Sequence, residues 1–267
     1  MNMTLAVRRD ALHAEWTKLR TVSGPAWLLA GLVAATVGVG AAVDAASRCP
    51  AGEVCQVDTA KLTFTGIDLG QAVVAILAVL AFSNEYSNGM IRVTLAAMPR
   101  RGLVLAAKAA LVTGLVLVAG AVGVLGSLLA GRLMLPGHGY TVARGFTALS
   151  LSDGPMLRAA AGSILYLGLI ALLSLGVAAL VREAAVAIGV VLALLYLFPI
   201  IVASVGADPH WQRHLEQIGP MQAGLYIQAT TNLHALPLSP WAGLGVLALW
   251  SAGALLLGAL SLSLRDA

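Results

Sequence analysis

The sequence predicts an all-α membrane protein: six transmembrane helices, an N-terminal interfacial helix and a short cytoplasmic helix between the second and third spans. Three observations carry this. Of 267 residues, 59% are hydrophobic and only 10% are charged, where a soluble domain carries roughly a quarter of its residues charged. The mean hydropathy is +0.90. The apolar residues also run in blocks long enough to cross a hydrocarbon core about 30 Å thick, which takes about 20 residues of helix. A single membrane domain over 1–267 is expected, with no soluble catalytic domain.

Bounded by charges, Pro and Gly, the blocks cover about 25–46, 67–83, 103–133, 156–181, 184–205 and 241–264. The second is short and the third long. An even number of spans places both termini on one side, and the Lys/Arg bias selects the cytoplasm. Arg8, Arg9, Lys18, Arg20, Arg92, Arg100, Arg101, Lys108, Arg182 and Arg265 gather on that face. Arg48, Lys61, Arg132, Arg144, Arg158 and Arg213 are spread over longer connections on the other. The net charge of +4 therefore reads as topology and not as a nucleic-acid surface, since no basic patch is interleaved with aromatics. A signal peptide is the competing reading of the first block, but the tail before it is long and five further spans follow.

Cys49 and Cys55 share one short polar stretch, expected outside, where an oxidising compartment permits one local bridge. Gly31 with Ala35, and Ala34 with Gly38, have the four-residue spacing that lets helix backbones approach. Composition alone also produces such pairs.

Over 5–20, Leu5, Leu12, Trp16 and Leu19 form a narrow apolar stripe at a helical period, flanked by Glu15, Lys18 and Arg20. This pattern suits either an interfacial helix at the headgroups or a plain basic anchor for topology. The stretch 84–101 combines a short helical run, stopped by Pro99, with exposed apolar Met90 and Ile91. Such a helix seats in a groove of a soluble partner; an ordinary loop with cytoplasmic positive charges is the bland alternative.

Two ordered motifs resemble the permease subunits of ABC-2 type ABC transporters, in particular short six-helix members common in high-GC actinobacteria. Glu-Trp-Thr-Lys-Leu-Arg-Thr over 15–21 is similar to that family's N-terminal elbow helix. Glu85, Gly89, Leu95, Pro99 and Arg101 are similar to its Glu-x-x-x-Gly-Thr, Leu, Pro, Arg pattern, with Met90 where the family often has Thr. Gly219, Pro220, Ala223 and Gly224 loosely match loops before its last span. The resemblance implies that 85–98 is a coupling helix, with Tyr86, Ile91 and Arg92 among its contact residues and Glu183 as a second contact. It further implies cytosolic ABC ATPase partners that carry the ATP and Mg, a second permease copy or a related permease, and export of a small apolar or amphiphilic molecule such as a drug or antibiotic across the cell membrane.

No Gly-x-x-x-x-Gly-Lys-Ser/Thr run occurs, so no P-loop is expected in this chain, and no enzyme activity or cofactor of its own. His210, His214 and Glu216 have helical spacing for two zinc ligands but lack a convincing further one, so no metal site is expected. Asp44, Asp68 and Lys108 fall near span ends and read as snorkelling side chains, which weakens the case for an ion-coupled secondary transporter. Ser127, Ser163, Tyr166, Ser174 and Tyr196 are the polar groups expected inside spans, where packing is their default role. A non-transport membrane scaffold or regulator is the remaining alternative.

Overall fold

A computed structural model describes residues 13, 15–17, 20–50, 55–87, 101–205 and 209–264, without the side chains of 85–87, 101, 205, 209 and 210. Its described elements are helical, with no strand among them. They comprise α1 (Ser23–Ala46), the short α2 (Thr59–Thr63), α3 (Gly66–Ser87), α4 (Arg101–Met134), α5 (Gly154–Val181), α6 (Ala184–Leu192), α7 (Phe198–Val205), α8 (Pro209–Ile218), α9 (Pro220–Leu225) and α10 (Pro240–Leu264). A π turn, Ala193–Leu197, joins α6 to α7 into one span. Six helical segments are long and apolar enough to cross a membrane: Ser23–Ala46, Gly66–Asn84, Gly102–His138, Gly154–Val181, Ala184–Ser204 and Pro240–Leu264.

Burial separates these spans into centre and periphery. In α5 and α3, 67% and 61% of the most apolar window is buried, against 17% in α1 and 22% in the α6–α7 span. α5 packs on α3, α4, α6 and α10, while α1 leans on α3 and α4. Outward-facing Leu125, Leu129, Leu133, Ile200, Leu249 and Leu256 are all exposed, as apolar side chains facing lipid tails would be.

Close backbone contact occurs elsewhere than at the sequence pairs. A Cβ on Gly38 meets nothing within 4 Å and one on Gly31 only touches Val73. Instead, a Cβ on Gly176 would overlap the backbone of Ala254 and Leu255, and one on Gly258 would lie 2.8 Å from the Gly176 carbonyl. α5 and α10 thus meet backbone to backbone, as small residues permit in a bilayer.

Helix ends follow local chemistry. Pro155 stands at the start of α5, where a missing N–H costs nothing. Arg182 ends α5 in the left-handed region at φ 66°, its N–H bonded to the Ala178 carbonyl. Glu183 then caps α6, accepting from the N–H groups of Ala185 and Val186 at 3.0 and 2.8 Å. Pro199 explains the π turn: it cannot donate to the carbonyl four residues back and its ring crowds it, so the preceding turn widens and Phe198 N–H reaches Ala193 O.

The bundle has two faces. α1 ends, α3 begins, α4 ends and α10 begins at the face that carries a Cys49–Cys55 disulfide, here called the disulfide face. The opposite, terminal face holds the described residues 13, 15–17, 20 and 21 and the end of α10.

Candidate functional site

At the terminal face, Glu15 reaches Lys108 on α4, Nζ to Oε2 at 2.8 Å, and the same Nζ donates to the Ala81 carbonyl of α3 at 2.9 Å. Both side chains are buried, 2% and 3% exposed. Lys108 therefore does not snorkel; a carboxylate 93 positions earlier in the chain pairs with it inside the protein. Trp16 and Arg20 are exposed, whereas Glu15 is turned into the bundle. Arg182 donates to the Ser261 carbonyl at 2.9 Å, tying α5 to α10 at this face. Glu183 is exposed, and both its oxygens serve the cap described above.

The other expected coupling residues fall differently. α3 does not stop at 83 but continues through Ser87, so Glu85 and Tyr86 have helical backbone. Gly89, Met90, Ile91, Arg92, Leu95 and Pro99 lie outside the described residues, as do Lys18 and most of 5–20.

Within the bundle, Tyr166 of α5 donates to Gln71 Oε1 of α3, and Tyr196 of the π turn donates to the Asp68 carbonyl. Ser127 Oγ donates to the Thr36 carbonyl at 3.1 Å, and Ser174 Oγ to its own helix at Ile170, 2.7 Å away. Ser163 Oγ is buried without a hydrogen-bond partner among the described residues. Gln71 was not singled out by sequence, although a lone amide in an apolar run is a visible signal of such a bond.

At the disulfide face, Asp58 is the main organiser. Its carboxylate caps α2 through Ala60 N–H at 3.0 Å, then accepts from the Thr230 N–H and hydroxyl at 2.6 and 2.7 Å and from the Thr231 N–H at 3.0 Å. Arg144 donates to the carbonyls of Cys49, Pro50 and Gly139 at 2.8, 2.7 and 3.1 Å. Arg158 donates to the Ala229 carbonyl. Asp44, near the end of α1, is fully buried, and neither oxygen has a hydrogen-bond partner among the described residues. It is not a snorkelling group either. His138 Nδ1 lies 3.0 Å from its backbone carbonyl.

Two cavities flank the segment from α8 to α9. One, of about 970 Å³, is apolar and lined by Leu173, Val177, Leu194, Phe198, Ile218 and Trp250, among others. Trp250 Nε1 donates to the Ile218 carbonyl at 2.9 Å and holds α10 to α8 there. The other, of about 430 Å³, is polar and lined by Lys61, Thr65, Asp68, Glu216, Gln222, Leu225, Tyr226 and Gln228. Burial, and then the Glu216 carboxylate, push the Tyr226 phenol up to about 12. Glu216 accepts from the Gln212 amide at 3.0 Å.

No protein-family model matches the chain, and no curated protein matches it.

Proposed function

We propose that this chain is the membrane-spanning permease subunit of an ATP-driven exporter of the ABC-2 type, lying in the cell membrane with both termini cytoplasmic and the disulfide face outside. Two such subunits, identical or related, work with two cytosolic ATPases that bind ATP and Mg. Closure of the ATPases pushes the 84–101 segment and rocks the spans between inward and outward access. The cargo is a small apolar or amphiphilic molecule.

The observation that most supports this reading is the Glu15–Lys108–Ala81 link. Glu15 opens the elbow-like motif, and Lys108 and Ala81 stand on the two helices that bracket the coupling-like motif. A push on that segment would therefore be shared by three elements through one buried charge pair. Sparse charge inside the spans fits an apolar or amphiphilic cargo.

The test is mass spectrometry of what co-purifies with the chain from its native membrane in mild detergent, with ATP hydrolysis assayed on the same sample. A stoichiometric nucleotide-binding protein is the expected result, lost in Glu85→Lys, Met90→Asp and Ile91→Asp while membrane insertion is kept. Association unchanged in all three removes the coupling assignment, and repeated isolation of the chain alone favours a scaffold.

Asp44 favours a second reading. Asp44 is a buried carboxylate in a span with no geometric hydrogen-bond partner among the described residues, and an ionisable group there is by default a functional candidate, as an ion-coupled transporter requires. Uptake driven by a proton or sodium gradient in vesicles that hold this chain without any ATPase, abolished by Asp44→Asn, would establish it over the exporter.

A further inference from the structure

A third cavity, of about 480 Å³, lies at the disulfide face beside the end of α4. It falls within the size range of small-molecule pockets, roughly 300–1,000 Å³. Arg132, Leu135 and Pro136 line it at the i, i+3 and i+4 spacing that sets residues on one helix face. The chain then doubles back: Tyr140 N–H bonds to the Leu135 carbonyl at 3.1 Å, which brings Tyr140 and Thr141 beside that face. Thr59 and the stretch from Thr147 to Ser150 complete the lining.

The bonds that hold this lining together leave its donors unspent. Thr59 Oγ1 donates to the Thr147 carbonyl at 3.2 Å. Arg132 Nε donates to the Leu149 carbonyl, which fixes the guanidinium, yet neither Nη has a partner among the described residues. Tyr140 is 7% exposed, its ring edge-on to Phe146 with centroids 5.0 Å apart. Its hydroxyl has no hydrogen-bond partner among the described residues. Nor is that hydroxyl sealed away as Ser163 Oγ is, so the small exposed part of this side chain includes it. The Thr141 hydroxyl is open and unpartnered in the same way. All three side chains can donate, and Arg132 is the one ionised side chain among the described lining residues. Asp58, beside Thr59, stays out of the lining, its oxygens taken by Ala60, Thr230 and Thr231.

From this juxtaposition we infer that the cavity binds a singly charged organic oxyanion with an apolar body, its oxygens accepting from Arg132 Nη and the Tyr140 hydroxyl. One guanidinium with no opposing carboxylate in the lining matches one negative charge, and its fork suits a pair of oxygens on a single centre. The Thr141 hydroxyl supplies a further donor. Leu135, Pro136, Val142 and Leu149 give the apolar body its contact surface. A monocarboxylate has this chemistry, and so does the phosphodiester of an anionic lipid. Leu133, next to Arg132, is 76% exposed on the lipid-facing side of α4, so the membrane is within reach of the site.

The site needs no ATPase, so the full chain is tested alone, in nanodiscs of phosphatidylcholine, by saturation-transfer NMR. The probe is naphthoate, with the uncharged naphthamide as its comparison. Saturable naphthoate binding is expected, weakened about tenfold in Arg132→Gln, where charge-assisted hydrogen bonds are lost. Tyr140→Phe keeps the ring contact and weakens binding about threefold. Val142→Lys, at an exposed lining position, adds a second cation and strengthens binding severalfold. Damage to the fold does not produce such a gain, so this arm stands even if Arg132→Gln fails to assemble. Native mass spectrometry from discs that also contain phosphatidylglycerol assigns the source of the anion. Phosphatidylglycerol retained by the unaltered chain and shed by Arg132→Gln marks a lipid headgroup; naphthoate binding without such retention marks a soluble acid. The inference is overturned by no saturable naphthoate binding to the unaltered chain, by equal binding of naphthamide, or by binding indifferent to all three substitutions. Whether an ATPase co-purifies is a separate result, so this site and the exporter reading fail independently.

Discussion

At the disulfide face, one carboxylate, Asp58, gathers three backbone N–H groups and two threonine hydroxyls, Arg144 spans three carbonyls, and a disulfide closes the loop after α1. At the terminal face, Lys108 sits between Glu15 and Ala81, and Arg182 donates to Ser261. The first arrangement spreads its hold over many bonds on loops that water reaches. The second includes a charge pair where water does not reach. Distributed bonds degrade gradually when one is lost, whereas a buried pair that loses a partner leaves a bare charge behind.

The sharpest way to break the contrast is Lys108→Met. It takes the ammonium away from the buried Glu15 carboxylate and should cost about 3–5 kcal/mol, read as a large drop in thermal midpoint in detergent. Glu15→Gln combined with Lys108→Met should recover most of that loss, because the uncompensated charge is then gone. If the double variant is no better than the single, the pair is not the fastening of this face.

Next in size, Asp58→Ala removes the cap of α2 and the anchor of Thr230 and Thr231 together, for about 2–3 kcal/mol. The expected readout is faster proteolysis of the 226–239 connection as well as a lower midpoint. Reduction of Cys49–Cys55, or Cys49→Ser with Cys55→Ser, releases a loop with a sequence separation of only 6 residues. A closed loop that short is worth about 2 kcal/mol in the chain-entropy account, and less where Arg144 still holds Cys49 and Pro50 in place.

The smallest effect concerns pH. The Tyr226 phenol ionises near 10 in an unfolded chain and is pushed up to about 12 in the fold. Its folded form thus holds the proton longer, and the stabilisation this gives, present below pH 10, is lost as pH rises towards 12. The stability of Tyr226→Phe relative to the unaltered chain should rise over that window, measured as the difference between the two proteins so that lysines titrating in the same range cancel.

Much of the frame was legible in the sequence, for a physical reason. A bilayer enforces length and apolarity on every span, so all six appear as blocks, and α1, α5 and α10 begin within two residues of their expected starts. α3 overran its expected end because apolarity marks where lipid stops, while helix geometry continues through Asn84 and Tyr86 until something ends it. Glu15 with Lys108, and Asp58 with Thr230, were not legible: a pairing across 93 or 172 positions leaves no local pattern, although Asp58 before Thr59 is a visible cap signal. The polar cavity was hidden for the same reason, its walls being drawn from three stretches of chain.

The π turn at Ala193–Leu197 carries one more consequence. A helix advances about 100° per residue, so the additional residue in that turn shifts the phase of everything beyond it. Tyr196 is thereby aimed at Asp68 while Leu197 and Phe198 turn towards the apolar cavity. An unbroken α-helix of the same sequence would instead rotate α7 by roughly a quarter turn or more relative to α6. In this helix, what faces lipid and what faces protein is a matter of counting as much as of hydropathy.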